Sequence, residues 1–126
     1  MKRSTHLLYF LFVSILFTSC TNRTSFYEEN IAIKLEMTEF LQTITDAGSA
    51  EAAMPELEKL EQRHLDWLGK IKDVVFTVED YEKHRSRHEP AIKGLGVEFE
   101  RVKGVLSGED ELQKKITRIC KLPLEQ

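Results

Sequence analysis

Long apolar runs, stretches alternating with period two and spare cysteines are all scarce in this chain of 126 residues, and each scarcity closes off a class of protein. Without period-two alternation there is no sign of a half-buried strand, and so no sheet to organise. The most apolar segment runs only from Leu7 to Phe17, well short of the roughly 20 residues that a membrane-spanning helix needs at about 1.5 Å of rise each. There is no Gly-rich phosphate loop after a strand, no nucleophile elbow and no cysteine placed beside a histidine, which leaves no recognisable catalytic constellation. No Cys-x-x-Cys-His element occurs, so covalent haem is excluded, and no cofactor is implied. No internal repeat or low-complexity tract interrupts the chain.

A surplus of positive charge is missing too. Lys and Arg number 18 against 21 Asp and Glu, and residues 1–19 hold only Lys2 and Arg3 of these, so the remainder carries 16 basic against 21 acidic residues, a net of −5. Phosphate binding needs a basic face, which argues against nucleic acid as a partner. The remainder is long enough for a single core but not for two.

What is present begins at the amino terminus. Lys2 and Arg3 precede the apolar run of Leu7 to Phe17, and Thr18, Ser19 and Cys20 close it with small side chains. A charged start, short apolar centre and small-residue exit are the pattern of a secretory signal. The tetrad Phe17-Thr18-Ser19-Cys20 resembles the lipobox of bacterial lipoproteins, with Phe17 standing where that family usually carries leucine. The resemblance implies a diacylglyceryl thioether on Cys20, cleavage before it, and attachment to the lipid bilayer at the bacterial cell envelope, facing the periplasm or the cell surface. Two or three acyl chains anchor durably where one is marginal, because each buried CH₂ contributes about 0.8 kcal/mol. Residues 20–26 then read as a polar tether and 27–126 as the folded domain. With Cys20 lipidated, Cys120 has no intramolecular partner, and its place between Ile119 and Leu122 reads as a structural thiol.

The domain reads as all-α, a small antiparallel helical bundle of three long helices and a short C-terminal one after the signal segment. The first helix is expected from about Tyr27 to Asp46, with Ile33, Met37, Phe40, Leu41 and Ile44 on one face. Gly48 and Ser49 then read as a C-terminal residue and an N-cap. Pro55 predicts a kink or a later start for the second helix, which carries Leu57, Leu60, His64, Trp67, Leu68 and Ile71 inward. Thr77 and Asp80 form a predicted capping box. The third helix shows Tyr81, Arg85, His88, Ile92, Leu95, Phe99, Val102 and Leu106 at spacings of four and three, a heptad seam. The last helix bears Leu112, Ile116 and Ile119 and is expected to stop at Pro123.

The phrase "ITDAGSAEAAMPELEKLEQR" resembles one found in small exported bacterial helical proteins of unknown function, in which it joins the first two helices. Asp46, Ser49, Ala50, Ala53, Pro55, Leu57 and Leu60 stand at the matching positions, with Thr45 in place of a lysine. The resemblance implies a helical domain and brings no activity with it.

The histidines are the remaining candidates for chemistry. His84 and His88 are four residues apart on one helix face, a spacing suited to a shared metal ion, and Asp80 extends the stripe by a turn. If the turn between the second and third helices centres near Phe76, His64 and His88 meet at one level of an antiparallel pair, with Trp67 opposite Arg85 in a cation–π contact. A metal site of His64, His84 and His88, a histidine pair that loosens the bundle near pH 6, and a purely structural polar layer are the three readings of this arrangement. Arg85 and Arg87 oppose a divalent cation there. Together these features predict a lipid-anchored, non-enzymatic interaction domain with an unidentified envelope protein as partner. A periplasmic metal-handling protein using the histidines is the alternative.

Overall fold

A computed structural model describes residues 23–126, which form four helices and contain no strand. The expected signal segment 1–19 and Cys20 lie outside the described residues. Helix α1 occupies 23–42, α2 Ala47–Ile71, α3 Val78–Val105 and α4 Asp110–Glu125. The all-α bundle expected from the 3.6-residue periodicity is what the chain forms.

Local chemistry sets the ends of these helices. At α2 the N-cap is Asp46 rather than Ser49, and Ser49 is the N3 residue of a reciprocal capping box. Asp46 Oδ1 accepts from the Ser49 N–H at 2.8 Å while Ser49 Oγ accepts from the Asp46 N–H at 3.0 Å, so two orphan donors are satisfied at once. Thr77 and Asp80 form the predicted box at α3, with Asp80 N–H donating to Thr77 Oγ1 at 3.1 Å and Thr77 N–H to Asp80 Oδ2 at 3.0 Å. The turn from α3 to α4 requires positive φ at one residue, and Gly108 supplies it at +89°.

Four features of the helices differ from expectation. Residues 23–26, assigned to a tether, are already helical, and α1 ends at 42 instead of 46. Neither Pro55 nor Pro123 breaks its helix. Pro55 lacks the N–H that would bond the Glu51 carbonyl, but Glu51 is on the exposed face, where water can serve that oxygen. Pro123 sits in the last turn of α4, where little helix remains to be disturbed.

Each helix buries a heptad-spaced stripe. In α1 it is Asn30, Lys34, Met37 and Leu41, continued just past the helix by Ile44; in α2 it is Ala50, Ala53, Leu57, Leu60, His64 and Trp67. Helix α4 contributes Ile116, Ile119 and Pro123. On α3 the buried residues are His84, His88, Ala91, Leu95 and Val102, so the expected seam holds at His88, Leu95, Val102 and Leu106 but turns by one residue at the other positions of its N-terminal half. Arg85 is exposed and bonded to Glu89, and Tyr81 is exposed too. The reason is that α3 packs against two neighbours, which widens its buried face beyond a two-helix seam.

The arrangement of neighbours is the main departure from the sequence reading. Helix α1 bonds to α2 through Arg63–Glu29 and Trp67–Phe26, and to α3 through Arg87–Glu28, Asn30–His88 and Arg101. Helix α4 packs on both α2 and α3. Helices α2 and α3 therefore face each other across the bundle diagonal instead of forming an adjacent hairpin, and the Trp67–Arg85 pair does not form. The α2–α3 loop crosses the end of the bundle at which α1 starts, where the Phe76 ring meets Phe26 at 6.4 Å and Tyr27 at 5.1 Å, both edge-to-face.

Candidate functional site

The heptad stripe of α1 puts two polar residues where the other helices put apolar ones. Lys34 is completely buried, and Asn30, one turn before it, is nearly so. Among the described residues no carboxylate lies within ion-pair reach of the Lys34 ammonium; its partner is Asn30 Oδ1. Burial without an opposite charge pulls the Lys34 ammonium down to about 8.

His64 from α2 and His88 from α3 complete this layer. Both are buried, and both feel the charge of Lys34. Burial first, and then Lys34, pushes the His64 imidazolium down to about 4 and lowers that of His88. His64 stacks on Trp67 with ring centres 5.5 Å apart, and the Trp67 indole N–H donates to the Phe26 carbonyl at 2.9 Å. The two histidines expected to meet as neighbours in a hairpin are instead related through α1, whose Lys34 acts on both.

Proton positions in this layer follow from the lysine. An ammonium has only donors, so Asn30 must turn its oxygen to Lys34, which leaves its nitrogen toward His88 Nε2 at 3.4 Å. Nε2 then accepts, and a neutral His88 carries its proton on Nδ1. That Nδ1 is buried without a partner among the described residues, as is His64 Nε2. A buried orphan donor costs about 1–3 kcal/mol, so its persistence in a core layer calls for a physical account.

His88 also lines a cavity of about 190 Å³, together with Tyr27, Asn30, Trp67, Phe76 and Tyr81. A second void beside His64, bounded by Glu61, Arg118 and Pro123, has only about 20 Å³, room for a single water.

The third predicted ligand faces elsewhere. His84 stacks on Tyr27 at 4.7 Å, and its Nδ1 lies 3.3 Å from an Arg87 guanidinium nitrogen and 3.9 Å from Glu28. Asp80, the proposed extension of the stripe, is already engaged by both donors of Thr77 and by Arg23 at 3.2 Å. Among the described residues no group of three His, Cys, Asp or Glu side chains converges on a common point. His64, His84 and His88 are thus divided between a core layer and an α1–α3 surface contact.

Asn30 and Lys34 were missed from the sequence, although the signal was there: with Met37, Leu41 and Ile44 they are spaced four, three, four and three. Reading only apolar residues as core-facing hid the stripe. Cys120 is buried and has no disulfide partner among the described residues, and burial raises its thiol to about 12, so it is inert at neutral pH. Among the described residues no helix is long and apolar enough to cross a membrane. No family model matches the chain, and no curated protein or solved structure does so either.

Proposed function

We propose that this chain is a bacterial lipoprotein, anchored in the envelope through acylated Cys20, whose helical bundle serves protein or envelope interaction rather than catalysis. The observation that carries the reading is the N-terminal succession of Lys2-Arg3, the short apolar run and Phe17-Thr18-Ser19-Cys20. Support also comes from the bundle's own end. Arg23, three residues after Cys20, pairs with Asp80 at the start of α3, and three residues of chain reach at most about 10 Å. The end bearing Val75 and Val78, each 80% exposed, would therefore face the bilayer in the anchored protein, with the far end free for a partner.

The test is intact mass and membrane fractionation of the expressed chain beside Cys20→Ala. The expected outcome is loss of residues 1–19 with added acyl mass in the membrane fraction, and an unprocessed Cys20→Ala product. Cleavage without added mass, in the soluble fraction, sinks the anchor and makes this a secreted helical domain.

A further inference from the structure

The α2–α3 loop sorts its apolar side chains between two directions. Val74 and Phe76 turn inward, and the Phe76 ring packs edge-to-face on Phe26 and Tyr27. Val75 and Val78 turn outward. Each is 80% exposed, against 60% for Val97, the next most exposed large apolar residue among those described. A single exposed valine needs no explanation, but this loop is not free to fold the pair away. The Val74 N–H donates to the Ile71 carbonyl at 3.0 Å, Phe76 is held by two rings, and Val78 opens α3 inside the Thr77–Asp80 capping box. A braced loop therefore keeps two apolar side chains in solvent.

The path of the chain says what covers them. Arg23 pairs with Asp80, two residues after Val78, and the three residues of chain back to Cys20 reach at most about 10 Å. With Cys20 acylated, the lipid chains leave the protein beside this loop. Facing a bilayer and entering it are different things, and charge separates them. Lys70 and Lys72 are matched by Asp73 and Glu79, so the loop has no basic surplus with which to hold anionic headgroups. What it offers a membrane is apolar area. Deep insertion would strip water from the exposed Asp73 and Glu79 that flank the pair, which limits entry to the boundary between headgroups and acyl chains, about 5–10 Å down.

We propose that Val75 and Val78 form a second membrane contact, entering the leaflet that holds the acyl chains of Cys20 and fixing this end of the bundle against the bilayer. The proposal rests on the acylated anchor but adds a contact that the anchor does not require, since a bundle held only by its lipid would leave both valines in water.

Val75→Cys and Val97→Cys are each made in the full chain, checked for acyl mass and reconstituted in phosphatidylcholine vesicles. Cys20 is then blocked by lipid and Cys120 is buried, so a charged maleimide reads the new thiol alone. Position 97 lies about 28 Å farther along α3 than position 78, at about 1.5 Å per residue, clear of the membrane. Burial of the remaining Val78 is worth about tenfold in the ratio of inserted to exposed loop. The thiol at position 75 should therefore react about tenfold more slowly than the one at 97. Adding Val78→Asp should bring the two rates together, and an aspartate suits the first turn of α3. Equal rates at the two positions of the acylated chain overturn the proposal and leave the anchor standing, whereas absence of acyl mass overturns both. Slow reaction at position 75 that survives Val78→Asp also overturns it, because nearness to the bilayer is then the cause. So does protection in intact envelopes but not in vesicles, which gives the pair to a partner protein.

Discussion

Lys34 is the residue that most shapes the behaviour of this bundle. Its ammonium is held at about 8 against an ordinary 10.5, so the folded state binds that proton less readily than the unfolded one. The resulting penalty is complete below pH 8 and fades as the pH rises from 8 to 10.5, over which range the domain should gain stability. His64, at about 4 against 6.5, adds a second window of the same sign. Stability is intact above pH 6.5 and is lost as the pH falls toward 4, a lower range than the loosening near pH 6 expected from the sequence. Each gap is worth on the order of 3 kcal/mol at about 1.36 kcal/mol per unit. Thermal melts across pH 4 to 10.5 should show both slopes; His64→Phe should flatten the acidic one and Lys34→Met the alkaline one. A melting temperature indifferent to pH on the alkaline side would mean that the Lys34 ammonium is compensated after all. At pH 7, Lys34→Met should also stabilise the domain by about 1–2 kcal/mol, since replacing a buried charge with an apolar chain is often favourable and the Asn30 oxygen left without a donor takes back part of the gain.

At the scale of elements, the capping box that opens α3 is where sequence and structure agree most closely. The Thr77–Asp80 box was legible because a capping box is a contact between neighbours in the chain. The C-terminus of α1 was not, because its cap comes from another helix. Arg101 of α3 donates to the carbonyls of Ile44 at 2.9 Å and Leu41 at 2.7 Å, and holds Glu98 at 2.7 Å. It thus caps the Ile44 carbonyl just beyond α1 and adds a second donor to that of Leu41, which also accepts from the Ile44 N–H at 3.1 Å. Arg101→Ala should lower stability by about 1–3 kcal/mol in urea denaturation, and Arg101→Lys should recover only part of that loss, since a single ammonium cannot reproduce the planar fork. An unchanged urea midpoint in Arg101→Ala would show that water serves these carbonyls equally well. Interhelical ion pairs such as Arg63–Glu29 and Arg118–Glu61 are half-exposed, and such pairs contribute little.

For the whole molecule, Cys120 offers a reporter of cooperativity. It is buried among residues from the packed helices, so in the Cys20→Ala chain a thiol reagent should find nothing until the bundle opens, and reaction should follow global unfolding measured by circular dichroism. Rapid native-state labelling would instead reveal local opening of α4. What the sequence by itself determined is the helical class, most helix boundaries to within a few residues and the faces of α2 and α4, because periodicity and caps depend on residues close in the chain. The choice of neighbours belonged to tertiary structure alone. Heptad stripes on four helices allow several ring orders of similar burial, and only packing in three dimensions set α1 against both α2 and α3 and put α2 across the diagonal from α3. That choice turned the N-terminal half of α3 by one residue, sent Arg85 to solvent and closed Lys34 and Asn30 against two histidines. A polar layer at heptad positions costs stability in any register, and which side chains face it depends on which helices meet.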